Sequence, residues 1–467
     1  MTEPGAMPAT LERAIDWKQG LAIALGVPLL ILPSIGYLAN YLGSFAILVW
    51  ALSVLQGFVQ NLAYGELATA FPDASGLPGI AQKVFKRGEG GKRFALGKLI
   101  GGFSAWSYWF AWNPVLAIFA ILIASYLKGL MPALGGFSDL ALSFVSGVVV
   151  FSGLILVNAR GLTGGAGLGY VLTALSFVPL LLITLAPFAT GDFALANITG
   201  APLPQEWVWD WKHVLMLLGI FAMAEWSACA WETAALYGPE YKRPHSDLPK
   251  ALFICGGICL LTYVLVQTAV TGTLGRNGIL AAPVSPMLTV ARMTLGRTGG
   301  VLAIVMLVAA MVLIIQTAFL GSARAMHSLA VEGNLPRMFG RLNPRGTPVL
   351  AMVVIAVFNL GLILLKTPTA ILAASAIGYV CANGISLFAY VKAGVDPGLA
   401  ALERPFRAPA GWSKVALCFG LFNLPLCLVG VVFLNSLESS WTATAVGFGV
   451  LASYVPLWLF SQREPRS

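Results

Sequence analysis

Charge is scarce in this 467-residue sequence: Asp, Glu, Lys and Arg make up 10% of it, against about a quarter in an ordinary soluble domain. A soluble globule of this length could not cover its surface with so few charges, and that class is excluded. Histidine is rarer still, with only His213, His245 and His327. There is no HExxH, no catalytic Ser/His/Asp set and no His/Cys cluster, so we expect no metal site, no cofactor and no enzymatic activity. The phosphate-cradling GxxxxGK[ST] pattern is also missing, so an ATP-driven pump would need a separate ATPase. The six cysteines (Cys229, Cys255, Cys259, Cys381, Cys418 and Cys427) lie in apolar stretches without a CxxC pair and read as packing residues.

What the chain has in excess is apolar sequence, 58% of its residues. Stretches of about 20 apolar residues recur throughout, each able to cross the hydrocarbon core as a helix. The expected fold is an all-α polytopic membrane protein of twelve transmembrane helices: 17–41, 44–70, 99–128, 139–158, 165–188, 213–237, 249–273, 299–331, 348–365, 368–392, 413–435 and 441–461. Residues 1–16 and 462–467 are tails, and Met1–Thr10 carries no cleavable signal. Assigning loops on this plan puts 22 of the 28 Lys and Arg on one side and six on the other. That asymmetry is the positive-inside pattern, and it places both termini in the cytoplasm of a cell bounded by this membrane. The formal net charge of +9 therefore reports topology and not a nucleic-acid partner. Between spans, Gly191–Trp211 offers Trp207, Trp209 and Trp211 as interfacial anchors, Asn197-Ile-Thr fits a glycosylation pattern, and Ser285–Leu295 reads as a short re-entrant or surface helix on the external side.

Two spans are interrupted. Gly26 and Pro28 fall in the middle of the first. The sixth, His213 to Gly238-Pro239, carries Glu225 and Glu232 within the membrane and is expected to break around Ala222–Trp226. An intramembrane carboxylate marks a functional site by default, because burying its charge is costly. The two broken spans start five spans apart, at corresponding positions of two five-helix halves (17–188 and 213–392), with 413–461 left as two further helices. Matched interruptions of this kind point to a substrate site at the midplane of an inverted-repeat transporter, where unwound backbone can coordinate a polar solute.

Four motifs then resemble the amino acid–polyamine–organocation transporters. They are YGELATAFPDASG (Tyr64–Gly76), GFSAWSYW (Gly102–Trp109), WSACAWE with Glu240, Lys242, Pro244, Asp247 and Pro249 after it, and SARAMHSLAVEGNLPRMFGRLNPRGTP (Ser322–Pro348). The resemblance implies secondary active transport of amino acids or related amines across the plasma membrane by alternating access. The core would be a five-plus-five inverted repeat with discontinuous helices 1 and 6. Coupling to protons or exchange is usual in the family and sodium coupling less so. The alternatives are a sodium symporter of a small polar solute, or a passive channel or sensor on the same scaffold.

The resemblance also proposes a site. Gly26, Val27, Pro28 and Leu29 stand where relatives use free backbone amides to hold a substrate carboxylate. Pro28 removes one such amide outright. Trp226, with Ala222 and Cys229 nearby, stands where an aromatic closes over the substrate. Glu232 is placed to carry a proton or to gate. Glu225 departs from the family, which usually has a small or aromatic residue there, and suggests an ammonium ligand or proton carrier and hence a preference for cationic substrates. Asn113 is the polar residue expected in the pocket, Arg324 and Glu332 belong to an inner gate, and Ser176 stands where some relatives have a lysine, a weak candidate ion ligand. The remaining intraspan amides (Gln60, Gln267, Gln316, Asn359 and Asn383) read as inter-helix hydrogen bonds.

Overall fold

The computed structural model describes residues 11–86, 92–364, 368–437 and 441–463. The expected tail 1–16 is thus described only from Leu11, the tail 462–467 only to Arg463, and the side chain of Cys427 lies outside the described residues. The described chain is all helical, with one isolated bridge between Ile15 and Tyr241. Its helices are α1 (Trp17–Ala24), α2 (Ile31–Leu42), α3 (Ala46–Ala70), α4 (Gly76–Lys86), α5 (Lys92–Trp112), α6 (Val115–Leu130), α7 (Asp139–Asn158), α8 (Leu162–Thr190) and the short α9 (Ala196–Thr199). They continue with α10 (Trp211–Ala228), α11 (Pro244–Ala281), α12 (Pro286–Val331), α13 (Val349–Leu364), α14 (Pro368–Val395), the short α15 (Pro397–Ala400), α16 (Trp412–Leu421), α17 (Leu428–Leu437), α18 (Trp441–Ala452) and α19 (Tyr454–Arg463).

Ten helical runs among the described residues are long and apolar enough to cross a membrane. One of them, Trp17–Ala70, is 54 residues long and comprises α1, α2 and α3, while α13 is a shorter apolar helix. Burial sorts the runs. In the most apolar window of Ala374–Val395, 83% of residues are buried, against 28% for Asp139–Asn158 and 29% for Trp412–Leu437. The first lies inside the bundle, and the other two present Val149, Leu156, Leu421 and Val429 outward, as lipid-facing helices do.

Tertiary partners cap the breaks and turns. Asp210 caps α10 by accepting the His213 amide at 2.8 Å, and that bond holds its carboxyl below the usual carboxylate range. The first part of α12, from Pro286, is set off from the rest by a kink at Gly296, whose φ of +62° suits glycine. Asn197 donates its side-chain amide to the Gly272 carbonyl at 2.8 Å, so the nitrogen that a glycan would need is already engaged. The run Trp412–Leu437 contains a π-helical turn, Phe422–Cys427. Pro425 lies inside it and lacks the N–H that the Leu421 carbonyl would take in an α-helix, which favours the wider turn.

Candidate functional site

The first break lies where the sequence places it. The helix stops at Ala24, turns through Leu25–Val27, and resumes after a single 3₁₀ turn at Pro28–Leu30. Carbonyls at the break are collected by side chains from two other helices. Thr317 of α12 donates to Ile23 O, and Ser227 of α10 donates to Leu30 O at 3.3 Å. The amides tell a different story from the expected free donors. Val27, Leu29 and Leu30 give their N–H groups to Ala24, Gly26 and Val27, so the loop is closed on itself in this conformation. Gly26 sits hard against α12: a Cβ there would lie 2.4 Å from Thr317 Oγ1 and 2.8 Å from Leu313 O. Gly26→Ala must push α1 and α12 apart, and we expect a loss of about 1–3 kcal/mol of stability, read as a lowered unfolding temperature of the purified protein.

The second break lies further along than the sequence suggests. α10 is regular through Ala222–Trp226 and ends at Ala228, with Cys229 N–H closing the last turn on Glu225 O at 2.9 Å. Eleven residues of 3₁₀ helix follow, Ala230–Glu240. Such runs rarely exceed four residues and mark hinges or strain. Ala222, Glu225 and Trp226 therefore stand on the last turns of a helix, and Cys229 is the residue at the break. The two breaks meet: Ser227 bridges to Leu30 O, and Tyr263 donates to Ser227 O at 2.7 Å.

Side chains radiate from this last turn in different directions, since successive residues on an α-helix are turned by about 100°. Ser227 faces the first break. Trp226 faces α5, where its indole stacks on Trp112 at 5.9 Å and donates to Ala111 O at 3.2 Å. Cys229 points to α3, its thiol 2.9 Å from Ser53 O. Glu225 points away from the first break. Its Oε1 accepts from Gln60 of α3 at 2.8 Å, Asn383 of α14 at 2.5 Å and Asn423 of the π-turn at 3.1 Å, while its Oε2 has no partner. Further on, Glu232 lies between the hydroxyls of Tyr108 (3.5 Å) and Tyr379 (3.4 Å), and the Trp112 ring packs against both tyrosines. Both carboxylates are buried, and among the described residues neither is in an ion pair.

Two other buried acids, Glu240 and Glu66, are compensated by arginines. Arg324 of α12 grips Glu240 with two guanidinium nitrogens, one at 2.6 Å, and lies 5.0 Å from the Tyr237 ring. The pair is 1% and 3% exposed. Beside it, Ala14 and Ile15 donate to Glu240 O at 2.9 and 3.0 Å, and Lys242 donates to Ile15 O at 2.8 Å, strapping the N-terminal segment over the end of the 3₁₀ run. Arg324 thus stands at a closed end of the bundle. Glu332 lies nearer the surface, paired with Lys86 at 3.0 Å. Glu66, which was not singled out from the sequence, holds Arg404 at 2.7 Å and Tyr390 at 2.8 Å.

Asn113 and Ser176 fall outside this arrangement. Pro114 interrupts α5–α6, and Asn359 of α13 mends the interruption, accepting from Ala117 N–H at 3.0 Å and donating to Asn113 Oδ1 at 2.6 Å. Asn113 is thus tied to α13. Ser176 donates back to Leu172 O of its own helix at 2.7 Å, the usual habit of a membrane serine. The other intraspan amides do pair between helices, Gln267 with Trp50 at 3.1 Å and Gln316 with Gly165 O at 2.6 Å among them. Sequence reasoning missed Asn423, Tyr108 and Tyr379. Tyr108 lies beside the motif tryptophan Trp109, but nothing local marks Tyr379 or Asn423.

Known proteins share this chain's pattern almost throughout. The amino acid permease family model matches residues 15–453. An uncharacterized amino acid permease of Bacillus subtilis is 24% identical over 397 residues, covering 81% of this chain and 85% of that one. An arginine/ornithine antiporter of Lactococcus lactis is 22% identical over 475 residues, covering 95% and 81%. A polyamine transporter of Oryza sativa is 28% identical over 254 residues, covering 53% and 41%. With two broken helices facing each other inside a multi-pass helical bundle, and a family match that spans both, the chain belongs to the amino acid permease family.

Proposed function

We propose that this permease moves basic amino acids or related amines across the plasma membrane by alternating access, with both termini in the cytoplasm. Twelve membrane crossings, the first ten arranged as two five-helix repeats of opposite orientation, form its core. The observation that carries the reading is the meeting of the two helix breaks through Ser227, Tyr263 and the Leu30 carbonyl. Backbone unwound at that point would offer polar groups to a solute in mid-membrane once the loop's own hydrogen bonds open. Trp226 and Trp112 form its aromatic wall and close it off. The preference for cations rests on Glu225 and Glu232, buried anions without a basic partner among the described residues. A buried anion needs a counter-cation, and a substrate ammonium supplies one of the two. Glu232 is the better placed to meet it, because the Tyr108 and Tyr379 hydroxyls face it and the Trp112 ring packs on both tyrosines, an aromatic setting that favours an ammonium. Lactococcal and rice relatives named for arginine/ornithine and polyamine transport support the same class. Coupling is to protons or by exchange.

A thermal-shift panel of amino acids and their decarboxylated amines tests this on purified protein. A ligand at a hundredfold its Kd stabilises by about 2.7 kcal/mol. Basic amino acids or amines should raise the unfolding temperature of the wild type and not of Glu232→Gln. Stabilisation by neutral amino acids alone, equal in both proteins, would remove the cationic preference.

A further inference from the structure

We propose that Glu225 is the seat of a coupling proton, carried on Oε2 and set by a cage of carboxamides from α3, α14 and the π-turn of the span Trp412–Leu437, apart from the substrate's own position. This rests on the reading of the protein as a transporter. The two oxygens of Glu225 are treated differently. Oε1 takes three amide donors, from Gln60, Asn383 and Asn423, and Oε2 takes none although the residue is 0% exposed. Three N–H donors on one oxygen favour the ionised form, while a bare second oxygen is a vacant acceptor for one proton. The cage is itself braced. Gln60 accepts from Asn383 at 2.9 Å, Tyr64 donates to Asn383 Oδ1, and Gln56 donates to Asn423 Oδ1 at 3.2 Å. The donors are therefore locked toward Glu225 and cannot turn over to offer oxygens to a metal cation or an ammonium. A proton needs no such turning.

The titratable groups that face Glu225 are Tyr64 on α3, Cys229 at the end of its own helix, Glu232 on the 3₁₀ run and Tyr379 on α14. None of them is a cation that would pin the carboxylate permanently ionised. Asn423 links the cage to a helix outside the two five-helix halves. Loading and unloading the proton changes the charge between α10, α3, α14 and that helix, and so biases how α10 packs against them as the site alternates. Gln60, Asn383 and Asn423 are positioning residues, acting through Glu225.

Infrared difference spectra of the protein in lipid, recorded between neutral and acidic pH without any substrate, read the proton directly. The wild type should show a protonated-carboxyl band that Glu225→Gln lacks and Glu232→Gln keeps. Asn423→Ala, which removes one donor from Oε1, should keep the band and move its midpoint about one to two pH units upward. A pH gradient should drive substrate accumulation in wild-type vesicles and none in Glu225→Gln vesicles. A band that survives in Glu225→Gln, or an unmoved midpoint in Asn423→Ala, overturns the assignment even if transport itself is intact. Wild-type protein that shows the band but transports nothing would instead count against the transporter reading.

Discussion

Arg324→Met is expected to destabilise the protein by about 3–5 kcal/mol, because it leaves the Glu240 carboxylate buried without its partner. Arg324 and Glu240 are 1% and 3% exposed, joined through two nitrogens, with the Tyr237 ring 5.0 Å from the guanidinium. A loss of that size is a large part of the roughly 5–15 kcal/mol that holds a typical domain together. The sign reverses for the pair: Arg324→Met combined with Glu240→Leu removes both charges, and buried ion pairs replaced by apolar side chains are often neutral or better for stability. Denaturant titration of the three proteins in detergent should place the double variant near the wild type and the single one far below it. In transport, the double variant should leak more readily toward the closed end, since the same pair ties the 3₁₀ run to α12. A single variant as stable as the wild type would mean that water reaches Glu240 and that no buried gate exists there.

Trp226→Ala should be nearly as costly, about 3–5 kcal/mol for an aromatic removed from a packed interior. Trp226 is 2% exposed, stacked on Trp112, and hydrogen-bonded to Ala111 O one turn before the Pro114 interruption. The loss has a functional side that Trp226→Phe separates from packing. Phenylalanine keeps the ring but not the N–H, so stability should largely return, and the occlusion proposed for the ring should return with it. Substrate exchange in Trp226→Ala should fall far below that of Trp226→Phe, measured at equal amounts of folded protein. Equal rates would show that the indole is packing alone.

The first break was legible because its cause is local: Gly26 and Pro28 act on their own backbone. The second was displaced because its cause is tertiary. Nothing in Ala222–Ala228 weakens a helix, and the chain leaves α-geometry only at Cys229, where its thiol turns to Ser53 O. Side-chain destinations were the least legible part. Gln60 and Asn383 stand out in sequence as amides within apolar spans, but their convergence on Glu225 joins residues 165 and 158 positions apart. Asn113 and Ser176 show the converse, polar residues whose partners are helix-mending groups close to proline breaks or in their own helix.

The most direct test of alternating access is counterflow in reconstituted vesicles. Vesicles preloaded with an unlabelled basic amino acid or diamine are diluted into a trace of the same compound carrying label. Label inside is expected to rise transiently above the outside concentration and then decay, because each inward turn of the site is matched by an outward one. Label that only climbs to the outside concentration, whatever the preload, would mean an open pathway through the bundle and no alternating site.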